Sequence, residues 1–256
     1  MKKGSNHNLK LYRETALRRI ADEPVIGVLD LWHSLCKEKI GASIEVMVGN
    51  RREDPRFATF KGELYTAIPR TVEGRVVLLL LLDSLKNVNS VLITHELGHW
   101  VLKLQGFRAL RCRDQPNCNL EILLNSMTQH PPLYALQRSF GHEPQNEIDS
   151  RSIQNMNNIR NSAERKIRQI QIENALLFAD DLLNCSNNKR KTMKYVLNQN
   201  HPKTAKIVNS ILDVAAQYNL LNFGSNLKFS KRIVRELKLG NNWHEMDEVK
   251  ALREMT

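Results

Sequence analysis

The chain has 256 residues and carries 38 lysines and arginines against 27 aspartates and glutamates, a formal net charge of +11. At 41% hydrophobic and 25% charged residues it lies in the globular range, which excludes a disordered tail and a membrane bundle. The longest apolar run, residues 76–82, is far short of the ~20 residues a spanning helix needs, and polar residues follow Met1-Lys2-Lys3 where a signal peptide would be apolar; a cytoplasmic chain with no membrane segment is expected.

Residues 9–39 read as helical, with Leu11, Ala16, Leu17 and Ile20 at helical spacing and a second apolar stretch after Pro24, closed by Gly41. From Ala42 the pattern turns to period two. Residues 43–48 are expected to form one strand and residues 57–68 one or two more, separated by a polar turn at 49–55. The run 76–82, between Gly74 and Asp83, has the length of a buried strand. A helix should start at Asn87 or Asn89, either of which can cap it, and stop at Gly106. Residues 108–119 read as loop. A helix over 120–129 is expected to end at His130-Pro131-Pro132, because a residue before proline is pushed out of the helical region. A short helix at 133–140 closes at Gly141. From Asn146 onward the chain reads as several helices, broken at 184–188, at His201-Pro202 and at Gly224. Four scattered cysteines, Cys36, Cys112, Cys118 and Cys185, fit reduced thiols.

Thr94-His95-Glu96-Leu97-Gly98-His99-Trp100 lies within the expected helix after the apolar strand and contains the HExxH pattern. Residues i and i+4 share a helical face, so the imidazoles of His95 and His99 can converge on one metal ion, and Glu96 projects from an adjacent angle towards a metal-bound water. By chance the pattern is expected about 0.02 times in a chain of this composition. Zinc suits it, since zinc accepts imidazole nitrogen and a catalytic site keeps one position for water.

These residues resemble the zincin metallopeptidases over residues 43–125, about one third of the chain. The resemblance implies a mixed sheet packed on the HExxH helix, with substrate along an edge strand, here expected to be 76–82. The metzincin branch continues with glycine and a third histidine where this chain has Leu102 and Gln105, so that branch is excluded. The gluzincin branch takes its third ligand from a glutamate on a later helix and braces a histidine from four positions on; Glu121 and Asn125 match those places. A weaker resemblance, Ile172-Glu173-Asn174-Ala175-Leu176-Leu177-Phe178-Ala179-Asp180-Asp181-Leu182-Leu183, is to the ImmA/IrrE family of intracellular peptidases that cleave transcriptional repressors, and implies Glu173 instead. His130, His142, Glu143, Glu147 and Asp149 are further candidates. Zincins also use a His or Tyr to stabilise the oxyanion. His130 is the candidate within the cluster His130, Tyr134 and His142, although a helix-terminating turn with a capping histidine is the simpler explanation, since no spacing rule selects any of the three.

The expected fold is α+β, with a helical lead-in at 1–41, a zincin-like core at 42–145 and a basic helical part at 146–256. The expected function is zinc-dependent hydrolysis of peptide bonds in an intracellular protein or peptide substrate. Its ion would be held by His95, His99 and Glu121, with Glu96 and His130 catalytic. Residues 151–256 carry 18 basic and 10 acidic side chains, which points to nucleic acid or an acidic protein as a second partner. The alternative is a non-enzymatic regulatory module, stabilised by zinc, that binds nucleic acid through the basic helices.

Overall fold

The computed structural model describes residues 10–53, 66–83, 88–114 and 118–256. In chain order the elements are β1 (Leu11–Arg13), α1 (Glu14–Arg18), α2 (Glu23–Lys39), β2 (Glu45–Asn50), β3 (Thr66–Val72), β4 (Arg75–Leu82), α3 (Ser90–Leu104) and β5 (Leu110–Cys112). They continue with α4 (Asn119–Ser139), α5 (Gln145–Arg160), α6 (Arg168–Asn184), α7 (Asn187–Asn200), α8 (Pro202–Ala215), α9 (Phe223–Glu236), β6 (Trp243–Glu245) and α10 (Glu248–Met255). The fold is α+β, and no helix among the described residues is long and apolar enough to cross a membrane. Two compact units arise, one of residues 1–105, 139–142 and 248–256, the other of residues 106–138 and 143–247.

The first unit is built on a mixed sheet in the order β1-β2-β4-β3, with β2 and β4 parallel and the outer pairs antiparallel. Residues 76–82 therefore form an interior strand, not the expected edge. The reason lies in the run itself: Leu78, Leu79, Leu80, Leu81 and Leu82 are all at most 1% exposed, and a strand apolar on both faces belongs where both faces of the sheet are covered, which its centre offers better than its edge. Among the described strands β1 and β3 are the edges, and β3 tolerates Pro69 because an edge position needs no ladder N–H there. Of the strands expected over 57–68, the part before Thr66 lies outside the described residues. The lead-in is not helical throughout. Leu11-Tyr12-Arg13 adds to the sheet against β2, and the helices begin only at Glu14. Asp22 caps α2 by accepting from Val25 N–H at 3.3 Å, and Trp32, fully buried, donates from Nε1 to Ile44 C=O at 3.0 Å.

Glu14 fastens this unit near its start. Its carboxylate accepts from Arg18 Nε at 2.6 Å and from Val46 N–H at 3.2 Å, and lies 2.7 Å from His33 Nε2. Burial alone would raise its pKa, but the bonds from His33, Arg18 and Val46 outweigh it and hold the carboxyl below its ordinary value. A carboxyl with a lowered folded-state pKa contributes stability above its unfolded pKa and loses it as pH falls through the folded one. Glu14→Gln is therefore expected to destabilise the chain by about 2 kcal/mol at neutral pH. The gap should close as pH falls from about 4.5 downward, which thermal melts of both proteins across that window would read.

The second unit is a helical array in which α5 packs on α6 and α7, and α8 on α6, α7 and α9. The expected loop at 108–119 contains β5, paired antiparallel with β6 some 130 residues later, Leu110 opposite Glu245. Gly224 does not break a helix but lies in the first turn of α9, whose cap Asn222 accepts from Ser225 N–H at 3.0 Å. The largest departure is α4, which runs through Pro131 and Pro132 where a stop was expected. Proline 132 cannot donate to Thr128 C=O, four residues back. Asn226 on α9, 1% exposed, supplies the missing donor from Nδ2 at 2.6 Å. His130 therefore stands inside a helix rather than at its end.

Candidate metal centre

Asn89 starts α3 by accepting from Val91 and Leu92 N–H at 3.1 and 3.2 Å, and Gly106, at φ +100°, follows its end; Asn87, the other expected cap, is outside the described residues. Ile93, Leu97, Val101 and Leu104 are buried, which fixes the helix's rotation and leaves His95, Glu96 and His99 half-buried on other faces. The His95 and His99 rings lie 4.9 Å apart and nearly perpendicular. Glu96 is held by the sheet: its carboxylate accepts from Ala67 N–H on β3, while Ala67 C=O accepts from Trp100 Nε1 at 2.8 Å. Burial pushes the Glu96 carboxyl up to about 7 against the opposing pull of Ala67 and Lys103. Lys103 lies over the Trp100 ring at 3.9 Å and pairs with Glu248 of α10 at 2.7 Å. Two helical turns thus carry a pair of imidazoles and a carboxyl poised near neutral pH.

In the second unit His130 is 7% exposed, and its Nδ1 meets Asp180 Oδ2 on α6 at 2.7 Å. Asp180 is an acceptor saturated by donors: Oδ2 also takes Arg151 Nη2 at 3.2 Å and Oδ1 takes Asn184 Nδ2 at 2.8 Å. Burial would raise the Asp180 pKa, but His130 and Arg151 pull it below the usual carboxylate range. With Asp180 ionised, the Nδ1–H of His130 donates to it. Arg151 also donates to Asp181 Oδ1 at 2.8 Å and to the Tyr134 hydroxyl at 3.3 Å, and Asn155 donates to Asp181 Oδ2 at 2.6 Å. The Tyr134 ring lies 5.2 Å from that of His130. Burial pushes the Asp181 carboxyl and the Tyr134 hydroxyl up.

Among the described residues, one group of three side chains could hold a metal ion: His95, His99 and His130, whose ligand nitrogens lie within 4.8 Å of one another. Glu121, the expected third ligand, is 5% exposed, accepts from Cys112 N–H at 3.0 Å and lies 3.9 Å from Arg111. Asn125, expected to brace a histidine, spends both ends of its amide on Leu110, N–H and C=O, at 2.9 Å each. Glu173 accepts from Gln169 at 3.0 Å. Asp149 accepts from Ser186 N–H at 2.8 Å, Glu143 is 3.9 Å from Arg138, and buried His142 keeps Nε2 without a hydrogen bond. A thiol nucleophile is disfavoured at Cys36, pushed up to about 12 by burial, and at Cys185, also raised by burial.

Sequence reasoning missed Asp180 as the partner of His130 and Asp181 as the partner of Arg151. The signal was present: two adjacent carboxylates inside the apolar run of α6 must find cations or donors if they are buried. Which partners they find is not local information. Compared with known proteins, the chain matches no family model, no curated protein and no solved structure.

Proposed function

We propose that the chain is a zinc metallopeptidase in which His95, His99 and His130 hold the ion and Glu96 is the general base. The observation that carries this reading is the His130–Asp180 hydrogen bond: a metal-ligating histidine characteristically donates its other ring N–H to a carboxylate, which fixes the tautomer and the orientation of the ring. His130 is thereby assigned as the third ligand in place of Glu121, whose carboxylate already serves Cys112 and Arg111. Three neutral imidazoles suit zinc, and three protein ligands leave one position for water, which favours a catalytic over a purely structural ion. When bound, zinc supplies a water acidified towards pKa ~7 and polarises the scissile carbonyl.

The chain's own residues supply the rest. Glu96 accepts the proton of the attacking water and returns it to the leaving amine, a task for which it is positioned one residue from His95 and held by Ala67 N–H. Ala67 holds that carboxylate with its N–H and Trp100 with its C=O, so an extended peptide would pair with β3 beyond Pro69, at Thr71. This keeps the zincin resemblance for the helix and the sheet edge and departs from the gluzincin ligand set. An intracellular protein substrate, as the ImmA/IrrE resemblance implies, belongs to the same proposal.

The purified chain is expected to take up one zinc and to cleave a fluorogenic mixed-peptide library, with cleavage abolished by a zinc chelator and restored by stoichiometric zinc. Failure to take up zinc, or hydrolysis that survives complete metal removal, would overturn the reading.

A further inference from the structure

Within the second unit, the last turns of α9 and the β5–β6 ribbon line an open cavity of about 560 Å³ that includes Lys231, Arg235, Asn241, Trp243, His244 and Glu245, the last paired with Lys231. That volume is in the range of sites that take small organic ligands. Trp243 is half-buried against the core of the unit, and its Nε1 donates to Leu239 C=O at 3.1 Å, so the indole presents a fixed flat surface. His244 keeps a buried Nδ1 without a partner.

Cations stand beside this ring. Lys228, Lys231, Arg232 and Arg235 occupy positions i, i+3, i+4 and i+7 of α9, one exposed face of the helix. Lys231 pairs with Glu245 and Arg232 with Glu236, whereas Lys228 and Arg235 have no carboxylate partner among the described residues. The face spans about 10 Å, more than one phosphate requires.

We propose that this cavity holds one nucleotide of a single-stranded nucleic acid, with the base on Trp243, its phosphate at Arg235 and the neighbouring phosphate along α9 towards Lys228. A flat aromatic surface selects any base for its π-face, and a base paired within a duplex cannot leave its stack to reach it without cost. A free mononucleotide would use the ring and Arg235 but leave the rest of the cationic face idle. The assignment is independent of the metal centre and gives a partner to two cations of residues 151–256, Lys228 and Arg235.

The test uses the full chain and a labelled twelve-residue thymidylate strand, with the matching duplex and thymidine monophosphate as comparison arms. The strand is expected to bind more tightly than either and to quench tryptophan emission, with log affinity falling against log salt at about −0.7 per phosphate neutralised. Trp243→Phe should keep the fold and lose the quench, leaving the signals of Trp32 and Trp100. A double Lys228→Ala, Arg235→Ala variant changes only exposed side chains and is expected to bind roughly 20-fold more weakly at 0.1 M salt, as two lost phosphate contacts require. Equal affinity for the duplex or for the mononucleotide, a quench that persists in Trp243→Phe, or unchanged affinity in the double variant would each overturn the proposal.

Discussion

Glu96→Gln is expected to lower peptide hydrolysis by roughly 10²–10⁴-fold while leaving the zinc content unchanged, because the substitution removes one function and little else. Glutamine is nearly isosteric, and its carbonyl oxygen can still accept from Ala67 N–H, so α3 and the edge strand β3 keep their link. What it cannot do is take a proton from water and carry it to the leaving nitrogen. The two measurements separate the roles: metal analysis reports on His95, His99 and His130, and turnover of the peptide library reports on Glu96. A variant that binds zinc and retains near-wild-type turnover would assign the proton transfer elsewhere and end the hydrolytic mechanism proposed for this helix. Loss of zinc together with activity would instead make Glu96 a ligand.

The second large effect is expected at the third ligand. His130→Ala should lower zinc affinity by more than Asp180→Asn, for which a loss of about 10–100-fold is expected, because the carboxylate acts on the ion through the imidazole. Glu121→Gln should leave zinc affinity unchanged, since its carboxylate is occupied by Cys112 N–H and lies near Arg111. Competition against a chromogenic zinc chelator reads all three. Asp180 also carries Arg151 and Asn184, so its replacement disturbs a buried network, and melting of the metal-free protein gives the structural cost separately. If Glu121→Gln lost zinc and His130→Ala kept it, the gluzincin ligand set would be restored. If Asp180→Asn weakened folding but not zinc affinity, the hydrogen bond to His130 would be structural only.

What depends on neighbours a few residues apart was legible before folding. The i, i+4 spacing puts His95 and His99 on one helical face wherever that helix is placed, the cap Asn89 and the stop at Gly106 bound it, and seven consecutive apolar residues make β4 a buried strand. Tertiary structure decided what depends on groups far apart in the chain. Periodicity could not say that β4 is central, because being apolar on both faces matters only once β2 and β3 have paired with it. The local rule that proline ends a helix failed at Pro131 and Pro132, where Asn226 hydrogen-bonds Thr128 C=O from 98 residues away. The imidazole proposed as third ligand followed the same logic: His130 lies inside α4 because that helix continues, and it meets Asp180, 50 residues later. Local dihedral preferences and side-chain periodicity are written in a short window of sequence, whereas buried donors and acceptors find their partners only in the folded chain.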